Sequence, residues 1–266
     1  MNVLDNYLEL NRRLWNERTK HHLKSSFYNL DSFLNGSSSL NEIELNLLGD
    51  ISGKTLLHLQ CHFGQDSLSL GRMGANVTGV DFSEEAIYAA IDLAKQLKQD
   101  ARFVCCDVYD FPKHGKQPFD MVFSSYGTIG WLPDLEKWAS VVAKSLKKGG
   151  SLVFVEFHPV VWMFDNSFKQ LQYSYFKKEP IVEEELGTYA DKNATISLTS
   201  VGWNHSLDEV IQNLLDAGLS LVQFKEYEYS PYNVFPEMVE VQPNQFQFKS
   251  MKGLIPLVYA LKMTKQ

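Results

Sequence analysis

The 266-residue chain carries 25 Lys plus Arg against 32 Asp plus Glu, a formal charge of −7, with 44% hydrophobic and 21% charged residues. That size suits one large α/β domain, alone or with an appended cap, and the negative balance gives no general attraction to nucleic-acid phosphates. The longest apolar runs, SLVFVEF and LIPLVYAL, fall far short of the roughly 18 residues of a membrane span, and MNVLDNYLELNRRLWNER has no signal-peptide apolar core. Cys61 and the adjacent Cys105 and Cys106, the latter two on a strand expected to be buried, make neither a disulfide framework nor a metal spacing. The chain reads as soluble, cytoplasmic and thiol-reduced, with no nucleic-acid or membrane partner and no metal.

Residues 1–50 read as amphipathic helix, with Leu4, Leu8, Leu14 and Trp15 near helical spacing, a loop at Asn35–Ser39 and a short helix over 40–48. From Thr55 the pattern alternates. TLLHLQ, NVTGVD, ARFVCCD, PFDMVFSS and SLVFVEF read as strands. Between them GQDSLSLGRMG reads as a helix closed by Gly74, and SEEAIYAAIDLAKQLK as one capped by Ser83. DLEKWASVVAKSLKKGG reads as a helix ending at its glycine pair. Such alternation specifies βαβ units, hence a parallel sheet wound on both faces. Residues 158–203 form an aromatic-rich insertion. Then SLDEVIQNLLDAG reads as a helix capped by Ser206 with Glu209 in the capping box. LSLVQFKEYEYS and GLIPLVYALKM are the closing strands, with 232–250 an excursion between them.

Ligands of a doubly wound sheet bind at the carboxyl ends of its strands. Those ends carry QCHFGQD (60–66), Asp81, Cys106-Asp107-Val108 and SSYGTIGWL (124–132). Asp81, about 20 residues beyond the first loop, suits the two hydroxyls of a ribose. Asp107 suits an adenine amino group, with Val108 and Phe82 sandwiching the ring. Each acid also suits the plainer role of an N-cap. The first loop lacks the G-x-G-x-x-G that a dinucleotide pyrophosphate needs, which argues against a dehydrogenase.

LLHLQCHFGQDSLSLGRMGANVTGVDFSEEAI, with FVCCDVYDF, FDMVFSS and LKKGGSLVFVE, resembles the class I S-adenosylmethionine-dependent methyltransferases of small-molecule type. The resemblance spans residues 45–157 strongly and GWNHSLDEVIQNLLDAGL more loosely. It implies a Rossmann-like, seven-stranded, mostly parallel sheet with the last strand antiparallel, and S-adenosylmethionine as cofactor. It assigns cofactor contacts to Gln60, Cys61, His62, Gly64, Asp81, Phe82, Asp107, Val108, Ser124 and Ser125. It also implies that backbone amides of the first loop face the cofactor's methionine carboxylate. The family's first motif has an acid on strand one and three alternating glycines; here His58, Gln60, His62 and Gly64 stand in those places, so one glycine remains. SSYG replaces the Pro-Pro-aromatic tetrapeptide of the enzymes that methylate nucleotide-base amines.

Methyl transfer asks for alignment, exclusion of water and, for some acceptors, removal of a proton. Glu156 and His158 at the end of strand five and His205 before the next helix are the candidate catalytic groups. Each histidine also suits a structural role, and His58 reads as a hydrogen-bonded strand residue. Trp15, Arg18, His22 and Tyr28 would form an N-terminal lid, with Tyr126 and Trp131 on the acceptor side. The expected division is one methyltransferase domain over 1–266: a helical cover or lid (1–50), a cofactor-binding core (51–157), an insertion (158–203) and the rest of the sheet (204–266). The chain would act on a small molecule as monomer or homodimer. The alternative is a non-catalytic protein that holds S-adenosylmethionine or S-adenosylhomocysteine on the same fold.

Overall fold

The computed structural model describes residues 6–114 and 118–266. Three helices come first: α1 (Tyr7–His22), α2 (Leu30–Leu34) and α3 (Glu42–Leu48). Leu4, read with the first helix, lies outside the described residues. Alternation then runs through β1 (Thr55–Leu59), α4 (Gln65–Arg72), β2 (Asn76–Asp81), α5 (Glu84–Leu97), β3 (Arg102–Cys105), β4 (Phe119–Ser125), α6 (Leu135–Ser145) and β5 (Leu146–Phe157). The insertion folds as the antiparallel hairpin β6 (Ile181–Leu186) and β7 (Ser197–Gly202). After α7 (Leu207–Asp216) and β8 (Leu219–Tyr227), a second hairpin, β9 (Met238–Gln242) and β10 (Gln245–Phe248), precedes β11 (Val258–Lys265).

Seven strands form the main sheet in the order β3-β2-β1-β4-β5-β11-β8. All neighbours are parallel except β11, antiparallel to both β5 and β8, as the resemblance implied. The strand order reverses between β1 and β4, which places the ligand crevice above those two strands. The apolar runs of β1 and β5 are buried on both faces, as continuous hydrophobic strands require. One face packs Trp138, Phe154 and Tyr259 beneath α6 and α7; the other packs Leu48, Phe123 and Val258 beneath α3. Each such side chain contributes about 1.5–3 kcal/mol by leaving water.

Several local expectations change. Ser83 does cap α5, accepting the Ala86 N–H at 3.1 Å. Ser206 stands at the N-cap of α7 but makes no side-chain cap bond, and the Glu209 carboxylate pairs with His205 and Lys177 rather than closing a capping box. α6 stops at Ser145 rather than at the glycine pair, since Leu146 already pairs with Phe119 and begins β5. Cys105 is exposed rather than buried, because β3 is the edge of the sheet; all three cysteines are free.

α1 is tied on two sides. Asn11 donates to the Val201 carbonyl (2.7 Å) and accepts the Val201 N–H (2.9 Å), fixing the helix to β7. Asn16 donates to Glu84 (2.9 Å) and accepts from Ser83 Oγ (2.7 Å), fixing it to the start of α5. The helix thus bridges the insertion and the start of α5.

Candidate functional site

The loop after β1 keeps the backbone of a glycine loop with mostly larger residues. Gln60, His62 and Gly64 all lie in the left-handed region, at φ of +55°, +49° and +81°. That conformation costs a non-glycine residue roughly 1–2 kcal/mol. Gly64 has a second constraint: a Cβ there would meet Ala90 and Phe103 at 2.9 Å. Gln60 is held by its Nε2, which donates to the Thr128 carbonyl at 2.7 Å. His62 is held by rings, its imidazole edge-on to Trp15 (5.3 Å between centroids) and hydrogen-bonded to His22 at 2.9 Å. Burial lowers both histidines far below the ordinary value, His62 to about 3 and His22 to about 2, so this pair is neutral.

Three amides of this loop are bonded within the protein: the Cys61 N–H donates to the Val80 carbonyl (2.9 Å), the His62 N–H to Asp81 Oδ2 (2.8 Å) and the Gly64 N–H to the Cys61 carbonyl (3.0 Å). Trp15 Nε1, Gln60 Oε1 and His62 Nδ1 are buried with no partner among the described residues, and the buried Arg18 guanidinium lies over the Trp15 and Trp131 rings at 5.2 and 5.6 Å.

Asp81 receives the His62 N–H on one oxygen and the Ser83 N–H on the other (2.9 Å), with burial raising it to about 6. Each oxygen keeps a further lone pair for a ligand hydroxyl. Asp107 caps the turn that follows β3, accepting the Tyr109 N–H at 2.9 Å, and also faces a pocket with Phe82 and Val108. Tyr7, Leu8 and Asn11 of α1 roof that pocket and leave only about 30 Å³.

A cavity of about 1120 Å³ opens beside it, over the ends of β1, β4 and β5. It is reached by Trp15, Arg18, Tyr28, Tyr126, Trp131 and Ser125, and also by Gln60, Cys61, His62, Gly64, Asp81 and Phe82. Ser124 is not among its walls: it is wholly buried and donates to Thr128 Oγ1 at 3.1 Å. His22 stands behind His62, fully buried. Of the insertion's aromatics, Trp162, Phe164, Phe168, Tyr173, Tyr189 and Trp203 line the cavity, whereas Phe176 is exposed.

The three candidate catalytic groups turn out to be engaged. Glu156 accepts the N–H groups of Gly127, Thr128 (2.7 Å), Ile129 (3.2 Å) and Phe157 (2.7 Å), so its carboxylate pins the turn after β4. His158 does not line the cavity; Nε2 pairs with Glu226 at 2.9 Å and Nδ1 accepts the Val160 N–H at 3.2 Å. His205 reaches the wall, yet Nε2 donates to the Leu132 carbonyl (2.8 Å) and Nδ1 meets Glu209 (3.1 Å). His58 is a strand residue bonded to Ser67 at 2.8 Å. The structure brings in Tyr232 on the wall and Glu44 behind Tyr126, which the sequence reading passed over, and also sets Asp66 of the first loop and Tyr189 of the aromatic insertion on the wall. Asp66 sits inside the quoted QCHFGQD, and Glu44 stands three residues after Asn41, a capping-box spacing; neither spacing says that the group is buried beside a cavity.

Residues 56–150 match a family model described as a methyltransferase domain. Over 104 residues the chain is 33% identical to a ubiquinone biosynthesis O-methyltransferase of Coxiella burnetii, covering 39% of this chain and 44% of that protein. Over 131 residues it is 31% identical to an uncharacterised methyltransferase of Synechocystis, covering 48% and 59%. The chain thus spans about half the length of the curated relatives it matches. An S-adenosylmethionine-dependent methyltransferase from Mesorhizobium loti superposes with a TM-score of 0.57 at 15% identity, over 87% of this chain and all of that one, a likeness of fold. Residues 56–150 are thus similar to methyltransferase domains, and the sheet that holds them shares its fold with an S-adenosylmethionine-dependent methyltransferase.

Proposed function

We propose that the chain is an S-adenosylmethionine-dependent methyltransferase for a small-molecule acceptor, working in the cytoplasm as one domain with its N-terminal helices as lid. The observation that carries this reading is the loop 60–64, held in glycine-type backbone over a cavity large enough for cofactor and acceptor together, with Asp81 beside it. The residues present suit the cofactor. Asp81 supplies acceptors for ribose hydroxyls, Phe82 and Val108 flank a slot that admits a base once α1 lifts from its present roofing position, and Trp15, Gln60 and His62 offer polar atoms for an amino-acid end, with Arg18 as nearby positive charge. When bound, S-adenosylmethionine supplies a methyl carbon already activated by its sulfonium. The protein's own part is to orient and to exclude water. α1, latched through Asn11 and Asn16, closes the cofactor side; the insertion's rings close the acceptor side.

The test is to incubate the protein with S-adenosylmethionine and pooled small acceptors and to measure S-adenosylhomocysteine. Turnover with some members of the pool is expected. The binding-only reading draws on the altered first loop, in which one glycine remains. It predicts uptake of both nucleosides with no turnover on any acceptor, including molecules that copurify with the protein.

A further inference from the structure

Tyr126 follows β4 in a left-handed backbone at φ +48°, and its hydroxyl donates to Glu44 Oε2 at 2.7 Å. Glu44 lies on α3 with no exposed surface. Its other oxygen accepts the Asn41 N–H (2.7 Å) and Asn41 Nδ2 (3.0 Å), closing the helix cap. A capping glutamate needs only that one oxygen and ordinarily stands in water. Here the second oxygen is buried with it and turned to a tyrosine that lines the cavity. Asn41 Nδ2 also donates to Tyr232 Oη at 2.8 Å, and Ser125 Oγ donates to the half-buried Asp66 at 3.2 Å. Tyr126, Tyr232 and Asp66 therefore form one polar wall, rich in acceptor atoms. Beyond it Phe157, Trp162 and Phe235 meet edge to face, with centroids 5.3–5.9 Å apart. A ligand seated here has an apolar body and a hydrogen-bond donor.

We propose that the methyl acceptor is a ring-bearing hydroxyl compound whose hydroxyl donates to Tyr126 Oη, and that Tyr126 passes its own proton to Glu44. This rests on the methyltransferase reading above. Tyr126 Oη, with its proton directed at Glu44, suits the single proton of a hydroxyl better than the three of an ammonium. As the acceptor oxygen bonds the methyl carbon, the carbon–sulfur bond breaks and its electron pair stays on sulfur, leaving a neutral thioether. The acceptor's proton moves to Tyr126 Oη, the tyrosine's proton moves to Glu44 Oε2, and the carboxylate ends as the acid. Tyr126 touches the acceptor; Glu44 acts through it.

Burial sets Glu44 near 7, a midpoint suited to taking and returning a proton at neutral pH. The titratable groups that face it are Asp66 from α4, Tyr126 after β4, Tyr227 and Tyr229 at the end of β8, and Tyr232 beyond it. Lys262 of β11 meets the other end of α3, at the Leu47 carbonyl (2.7 Å).

The test titrates 4-nitrophenol, whose phenolate is coloured, into the whole protein with and without S-adenosylhomocysteine, reading absorbance across about pH 5 to 10. In the unmodified protein the bound probe and Glu44 share one proton near neutral pH, so phenolate appears in two steps, part near pH 7 and the rest about one pH unit or more higher. Glu44→Gln keeps the helix cap, since glutamine serves at that position, and leaves a single step near the pH at which free probe ionises. Tyr126→Phe also gives a single step and weakens probe binding about fivefold, the cost of a lost hydrogen bond. 4-Nitroaniline, of similar shape, binds more weakly and shows one spectrum in all three proteins. The same titration curve in the unmodified protein and in Glu44→Gln overturns the proton path. Tighter binding of 4-nitroaniline, or no binding of 4-nitrophenol, overturns the acceptor class. Calorimetry with S-adenosylhomocysteine alone separates the two readings: its failure removes the cofactor assignment, while the probe without nucleoside still decides this one.

Discussion

The two halves of the crevice are built differently. Over β1, β2 and β3 the geometry is made by backbone: left-handed residues at 60, 62 and 64, loop amides bonded within the protein, and Asp81 holding two of the N–H groups around it. Over β4 and β5 it is made by side chains from distant segments: Glu44 and Asn41 before the sheet, Tyr126 after β4, Trp162 and Tyr189 in the insertion, Tyr232 beyond β8. A backbone-made site suits a ligand that never varies, because it is fixed by the fold itself. A side-chain-made site lets the acceptor change without disturbing the sheet.

The sharpest way to break this contrast is at Asp81. Asp81→Ala removes the ligand's hydroxyl acceptor and leaves the His62 and Ser83 N–H groups without their partner. Affinity for S-adenosylhomocysteine is expected to fall about thirtyfold, some 2 kcal/mol, by calorimetry. The same residue sets a pH dependence. Its carboxyl is raised to about 6, so it is a charged acceptor above that pH and an acid below it. Affinity should therefore fall about tenfold from pH 7 to pH 5. The raised value itself favours the fold as pH drops from 6 toward the unfolded midpoint, so this loss is not one of unfolding at Asp81. Asn11→Ala opens the latch between α1 and β7. Hydrogen exchange in 7–22 is expected to quicken about fivefold, matching about 1 kcal/mol for a lost side-chain bond pair, and nucleoside should slow it again if α1 is a lid. Gln60→Gly gives the smallest effect: relief of left-handed strain offsets the lost bond to Thr128, and thermal stability should stay within about 1 kcal/mol.

The backbone-made half was the more legible from sequence. Strand periodicity located the ends of β1 to β5, and the winding rule then picked out Gln60 to Asp66, Asp81 and Asp107 without side-chain knowledge. The shift from helix to strand at Leu146 escaped it, because pairing with Phe119 overrides a sequence that continues helically. The other half was mostly hidden. His158, His205 and Glu156 stand at the correct sheet edge, but edge position does not reveal that backbone amides and Glu226 or Glu209 already engage them. Glu44 carried only a capping signal, and its burial depends on Tyr126, distant in the chain.

The central claim is that loop 60–64 and Asp81 hold S-adenosylmethionine although little of the glycine motif remains. Calorimetric titration of the intact protein with S-adenosylmethionine, S-adenosylhomocysteine and a nicotinamide dinucleotide tests it most directly. Saturable binding of the first two and none of the third is the predicted result; silence with both S-adenosyl compounds, or heat with the dinucleotide, would contradict it.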